Sequence, residues 1–417
     1  MKKHAIRLLC LLMMLVMFEG LWTTAFADLN KSGKCGDNLQ FYYNFYADSV
    51  RIWGTGPMYD ATDRLDSFLW KECYGPELVE KIQIERGVTH IGDFAFHSCE
   101  HATSITIPDT VTSIGRYAFG DCWTIKSFKL PAGLTSIGVG AFDGCTMLNS
   151  INIPQGVTKI EDWTFSECNF LESIILPSGL TSIGKFAFSE TSLTEIDIPK
   201  GVTTIGYCAF SDCFDLKKVT IPGTVAVIGN GAFWDCSSLE SLTIGKGVRE
   251  IDDSAFQGCK KLTSVTIPDT VERIGESAFQ GCAALRTVVI PASVKAIGED
   301  AFGDEYGSGT KLEHVYILNR GDIEIGSLFE PFPEGTTIHC YRNTPAASWA
   351  ERKQQVNDYT IVYLDGDADG NGKVNLQDFL RIMQYAAGWS VVIDDAADMN
   401  VDGTIDLQDA ILLLESL

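Results

Sequence analysis

Between residues 91 and 302, apolar and polar positions recur with one period. The phase is marked by Phe96, Phe119, Phe142, Phe165, Phe188, Phe210, Phe233, Phe256, Phe279 and Phe302; eight of the nine steps are 23 residues, and Phe188 to Phe210 is 22. One copy reads Ile274-Gly275-Glu276-Ser277-Ala278-Phe279-Gln280-Gly281-Cys282 and continues through Leu285, Val288 and Ile290 to Pro291. A fixed period of this size predicts a solenoid, in which each coil buries its apolar edge only against its neighbours.

Within a coil, Val265 and Ile267 alternate with Ser264 and Thr266, which predicts a half-buried strand. Pro268 lacks an N–H and ends it. Val271 and Ile274 then point back inward, Gly275 allows the next turn, and Ala278 and Phe279 enter the core from the opposite wall. Each coil is thus expected to hold one short strand and one turn-rich side. The Ile-Gly-x-x-Ala-Phe-x-x-Cys core and the Leu-x-x-Val-x-Ile-Pro strand closely resemble the BspA-type leucine-rich repeat of bacterial surface proteins. The resemblance implies an α/β-type leucine-rich repeat solenoid, mainly β and turns, with ten 23-residue repeats and a binding role.

The flanks organise around that array. Residues 1–27 read as a secretory signal peptide: Lys2, Lys3 and Arg7, an apolar run, then Ala25-Phe26-Ala27. Residues 28–80 are the expected N-terminal cap, 81–320 the solenoid and 321–364 the C-terminal cap. Cys35 to Leu39 followed by Gly54 to Asp60 is similar to a leader module found before such repeats. Residues 336–340, a short helix over 346–355 and a strand over 359–364 should close the other end. No segment after the signal peptide is apolar enough to span a membrane.

Charge and cysteine usage change the picture in two places. There are 55 acidic and 32 basic residues, a net of −23, which disfavours nucleic acid and anionic membrane as partners. Residues 365–417 alone hold 11 acidic and 2 basic side chains, so the tail is read separately. Cys99, Cys122, Cys145, Cys168, Cys213, Cys236, Cys259 and Cys282 all follow a core phenylalanine by three residues. One cysteine per coil at one phase reads as a column of buried reduced thiols, suggesting an anaerobic habitat. Cys35 and Cys73 are the pair best placed for a disulfide.

The tail carries chemistry. Residues 367–378 place Asp367, Asp369, Asn371, Asn375 and Asp378 at positions 1, 3, 5, 9 and 12 of a loop, with Gly372 at the sharp turn and the Lys373 carbonyl at 7. The pattern returns as Asp398, Asn400, Asp402, Thr404, Asp406 and Asp409. Ca²⁺ takes six to eight hard oxygens, so two such loops predict two bound Ca²⁺. Each runs into an amphipathic helix, over 379–387 and 410–417, and no helix precedes the first loop. The duplicated loop-plus-helix with Asp at position 12 resembles a type I dockerin, a small all-α calcium-binding domain over 365–417. It implies Ca²⁺-dependent docking to a cohesin on the scaffold of a cellulosome-like assembly. The family's contact positions fall on Leu376, Gln377, Gln384 and Tyr385 and on Leu407 and Gln408. With no long linker after Tyr363, the tail is expected to sit close against the C-terminal cap.

The repeats offer no convergent reactive groups. There is no His-Glu-x-x-His, Gly-x-Ser-x-Gly or phosphate-cradling loop, and His97-Ser98-Cys99-Glu100-His101 reads as a solvated turn. A glycan-active enzyme would need facing carboxylates, and Glu161, Asp162, Asp252 and Asp253 are scattered on turns. Binding fits better. One column precedes each Ala-Phe pair and includes Phe94, Tyr117, Gly140, Trp163 and Phe186. Its Tyr117 and Trp163 either mark a ligand patch or pack within the wall. The expected function is a secreted, extracellular, non-catalytic binding protein, cell-surface associated through a scaffold, whose solenoid holds a polysaccharide, protein or surface ligand. The alternative is an adhesin contacting host or neighbouring cells.

Overall fold

A computed structural model describes residues 30–72, 75–304, 310–326 and 330–364, together with Asp378, residues 380–382, 397–398 and 404–405, and Asp409. The chain divides into two units, Met1–Val202 and Thr203–Leu417.

The first unit opens with an antiparallel sheet. Leu39, Phe41 and Tyr43 are buried and alternate with exposed Gln40 and Tyr42. This pattern forms β2 (Leu39–Asn44), paired with β1 (Lys31–Gly36) on one side and β3 (Ser49–Gly54) on the other. Asn44 accepts the Tyr46 and Ala47 N–H groups and closes the turn between β2 and β3. β3 then pairs in parallel with Lys81–Ile84, so the cap hands its register directly to the coils. Cys35 is a buried free thiol, which corrects the expected bridge to Cys73; burial pushes it up to about 12. Cys73 itself lies outside the described residues.

Most coils carry two strands, not one. The expected strands recur in both units, for example at Ser150–Asn152 and Lys218–Ile221. A second column of very short strands had no signal in the alternation: Ser113–Ile114, Ser136–Ile137, Val227–Ile228 and Glu250–Ile251 are examples. They pair in parallel, isoleucine on isoleucine, as in Ile114 with Ile137 and Ile228 with Ile251. These are the isoleucines of the Ile-Gly phrase. The glycine is needed because the neighbouring coil's backbone is so close: a Cβ on Gly275 would stand 2.5 Å from the Asp253 amide nitrogen. The stretch 263–268, the plainest strand in the sequence, keeps its inward alternation but joins no ladder.

The turn-rich side has its own rule. In the coil of Phe96, the amides of Phe94, Phe96 and Ser98 donate to the Arg116, Ala118 and Gly120 carbonyls of the next coil, at 2.7–2.8 Å. The intervening Ala95, His97 and Cys99 amides donate three residues back within the coil. This alternation requires left-handed backbone at Phe94 (φ 54°) and Ser98 (φ 59°). The same pair recurs at Tyr117 and Asp121, Trp163 and Glu167, and Cys208 and Asp212. L-residues pay about 1–2 kcal/mol in this region, offset here by three axial hydrogen bonds per turn.

The core is an aromatic column. Phe96, Phe119, Phe142, Phe165 and Phe188 stack at 5.5–5.7 Å in the first unit. Phe210, Phe233, Phe256, Phe279 and Phe302 stack at 5.1–5.4 Å in the second. All ten are buried, each contributing about 1.5–3 kcal/mol by burial. Phe332 extends the second column against Phe302 at 5.7 Å, although its segment lacks the Ala-Phe phrase. Each unit's column is closed edge-on at one end by an aromatic ring. Phe68 of α1 (Phe68–Glu72) meets Phe96 at 88°, and Trp349 of α2 (Pro345–Asn357) meets Phe332 at 78°. The closing strands His314–Ile317, Thr337–Cys340 and Thr360–Tyr363 continue the parallel ladder of Thr287–Ile290.

The eight cysteines of the column are buried. Six of them donate S–H to the phenylalanine carbonyl 26 residues earlier, as Cys145 does to Phe119 at 3.3 Å and Cys236 to Phe210 at 3.2 Å. Burial pushes the Cys145, Cys236 and Cys259 thiols well above their ordinary value, so they stay protonated and unreactive. In the coil of Phe188 the position is Thr191, whose hydroxyl donates to the Phe188 carbonyl at 2.9 Å.

Candidate functional site

Of the twelve predicted metal ligands, Asp378, Asp398, Thr404 and Asp409 fall among the described residues. Asp378 and Asp409 hold the same position in the two loops, and both are fully buried and helical. Carboxylates are almost never sealed from water unless they face a cation or a hydrogen-bonding partner. Their burial, and the all-oxygen donor set around them in sequence, therefore fit a hard cation such as Ca²⁺. Leu380, Arg381 and Ile382 are helical, inside the expected exit helix, and Ile382 is buried. Asp367, Asp369, Asn371, Lys373, Asn375, Asp402 and Asp406, Asn400, and the docking positions Leu376, Gln377, Gln384, Tyr385, Leu407 and Gln408 lie outside the described residues.

Tyr117 and Trp163 sit in the first left-handed column. Tyr117 stacks on Phe94 at 5.4 Å, and its ring lies so close to Gly140 that a Cβ there would stand 2.2 Å from it. Trp163 stacks on Phe186 at 5.9 Å and is 37% exposed. The two rings thus belong to short ladders separated by Gly140. Both ladders are half-open to solvent.

His97 shares this wall. Its Nδ1 lies 2.7 Å from the Ser98 hydroxyl and its Nε2 3.7 Å from Asp121. Burial pushes its pKa down against the pull of Asp121. Among the described residues no three His, Cys, Asp or Glu side chains converge to hold a metal. One acid on this side escaped the sequence reading. Asp143 is raised to about 7, chiefly by burial and further by Glu167 and Asp121, with the Ser166 hydrogen bond opposing. The outward strand positions Asn152 and Ile175, with Ser127, Ser150 and Ser173, line a shallow groove of about 340 Å³. Exposed Trp123 and Phe170, each shortly after a column cysteine, are further aromatic surface that sequence reasoning passed over. Their signal was a large ring where other coils carry serine or alanine, Ser237 and Ala283 at the phase of Trp123 and Ser238 and Ala284 at the phase of Phe170.

Comparison with known proteins fixes the family. The BspA type leucine rich repeat region matches residues 69–191 and 181–308, in six copies, and the dockerin type I domain matches residues 365–417. A leucine-rich repeat protein from Bacteroides ovatus superposes with a TM-score of 0.54 at 24% identity, covering 78% of this chain and 99% of that one. A leucine rich cell surface protein from Faecalibacterium prausnitzii gives 0.45 at 28%, covering 68% and 88%. A leucine-rich repeat protein from Eubacterium ventriosum gives 0.38 at 24%, covering 66% and 94%. No curated protein matches the chain. The Bacteroides structure supports the solenoid fold. Both matched families are non-catalytic binding modules: a dockerin implies a cohesin partner, and leucine-rich repeats imply a binding role. No helix among the described residues is long and apolar enough to cross a membrane. The chain belongs to the BspA-type leucine-rich repeat family and carries a type I dockerin domain at its C-terminus.

Proposed function

We propose that this is a secreted, non-catalytic binding protein of a cellulosome-like assembly. Its dockerin attaches to a scaffold cohesin, while the repeats hold a polysaccharide or surface ligand. The observation that carries the reading is the dockerin match over 365–417, joined to two equivalent buried aspartates, Asp378 and Asp409. Asp367, Asp369, Asn371, the Lys373 carbonyl, Asn375 and Asp378 would hold one Ca²⁺, and Asp398, Asn400, Asp402, the Thr404 carbonyl, Asp406 and Asp409 a second. Bound Ca²⁺ supplies the positive charge that lets these carboxylates approach one another. Leu376-Gln377 and Leu407-Gln408 open the two exit helices and would meet the cohesin, with Gln384 and Tyr385 further along the first. The identical pairs support two docking orientations. Tyr117 and Trp163 are the proposed aromatic contacts on the repeats, since sugar faces stack on half-exposed rings.

The test uses the intact protein on immobilised type I cohesins. Retention in millimolar Ca²⁺ and release in EDTA is expected, with loss of retention in Asp367→Ala/Asp398→Ala. Retention that is equal in EDTA, or absent from every cohesin tried, would refute docking. Serine at both Tyr117 and Trp163 should weaken polysaccharide retention at an unchanged melting temperature; unchanged retention would remove those two residues from the site.

A further inference from the structure

The N-terminal cap contains a cleft of about 260 Å³ between β1, the chain at residues 59–61 and the start of α1. Its wall holds Lys34, Asp60, Asp66, Ser67, Phe68 and Asp93. Ser67 is 3% exposed, and its hydroxyl has no hydrogen-bond partner among the described residues. Leaving a buried hydroxyl in that condition is unfavourable, so a polar group reaching it from the cleft would recover free energy.

The charges indicate what kind of group. Asp66 pairs with Lys71 and accepts the Thr62 amide. Asp93 accepts the Arg116 amide at 2.6 Å and faces its guanidinium at 3.6 Å. Those two carboxylates are neutralised. Asp60 accepts the Asp93 amide at 3.0 Å and lies 3.0 Å from the His90 ring; burial opposes its ionisation, but these hydrogen bonds outweigh it and hold the carboxyl below the usual range. The Lys34 ammonium has no ion pair among the described residues and Asp60 meets the His90 ring, so the cleft sets an ammonium and a carboxylate on one wall. A fully charged ligand gains little net attraction from such a balanced wall. A ligand with several hydroxyls can donate to Asp60, accept from Lys34 and do either with Ser67. Phe68, held by Phe41 at 4.9 Å, supplies a fixed apolar surface for the C–H face of a ring. The volume lies below the roughly 300–1,000 Å³ of sites for drug-sized ligands.

We propose that this cleft, between Lys34, Asp60, Ser67 and Phe68, binds a single neutral sugar unit of a glycan. The inference rests on the reading of the protein as a polysaccharide holder and places a contact in the cap, away from the aromatic ladders.

The test titrates the full-length protein with D-glucose, D-galactose, D-mannose and D-xylose, read by saturation-transfer NMR and calorimetry. At least one should saturate with Kd on the order of millimolar. Lys34→Ala and Ser67→Ala should each weaken it about tenfold or more. Ser67→Ala should melt at or above the wild-type temperature, because no protein hydrogen bond is lost, and exposed Lys34 makes Lys34→Ala the fold-neutral control. D-galacturonate and D-glucosamine should bind no tighter than their neutral parents. Saturation by none of the neutral sugars, a tenfold preference for a charged one, or wild-type affinity in both variants would each overturn the proposal. If the wild type and both variants retain an intact polysaccharide equally, the cleft is refuted while the polysaccharide reading stands.

Discussion

At the residue scale, the left-handed columns concentrate strain. Phe94, Tyr117, Trp163, Phe186, Cys208, Ser254, Ser277 and Asp300 all have φ between 49° and 55°. Ser277→Gly should therefore stabilise the fold by about 1 kcal/mol, and Ser277→Val should destabilise it. Urea unfolding checks both; a Gly variant less stable than wild type would contradict the strain. Glycine stands at the same phase at Gly140 and Gly231, which was the one legible hint. The other residues share no chemistry, so the rule was hidden in the sequence. Asp143 gives a pH signature. Its native value near 7 lies above the ordinary 3.8, so the native state binds the proton more tightly than the unfolded chain. Its contribution is fully present below pH 3.8 and is lost as pH rises through 7. Asp143→Asn should leave stability near pH 4 little changed and raise it at pH 8; a parallel offset at both pH values would rule out this origin.

At the element scale, the phenylalanine column was readable because one large apolar residue at one period has few other uses. The second strand column was not, because two residues are too few for an alternation. Phe332 was missed because it departs from the period, and only the stacking on Phe302 reveals its role. The edge-on rings at the column ends were invisible for the same reason: Phe68 and Trp349 lie on helices outside the repeat. Trp349 is 4% exposed, and Trp349→Ala should cost about 3–5 kcal/mol, with Trp349→Phe recovering much of it. The midpoint of urea unfolding measures this. A near-neutral alanine variant would show that the column needs no edge-on closure.

At the scale of the whole molecule, the coils are held by burial and axial hydrogen bonds, whereas in the proposed function the tail would need Ca²⁺ to compensate its carboxylates. The two parts should respond separately to metal. EDTA should remove helical signal and a low-temperature transition from the intact protein while leaving the main melting transition within about 2 °C, a shift smaller than the several degrees per kcal/mol expected of a single domain. Circular dichroism and calorimetry in Ca²⁺ and EDTA decide it; identical traces would detach the tail's folding from the metal. The tail's family was legible from oxygen spacing, since a cation would fix its ligand order more strictly than a core fixes its packing, and the dockerin type I match covers the same residues, 365–417.

The turn-side amides at alternate positions always reach forward, from Phe94 to Arg116 and from Tyr117 to Val139, never backward. The array therefore has a direction built into its backbone. On that side, a cut between two coils would leave amide donors on one new edge and matching carbonyls on the other, so severed pieces could rejoin there only head to tail.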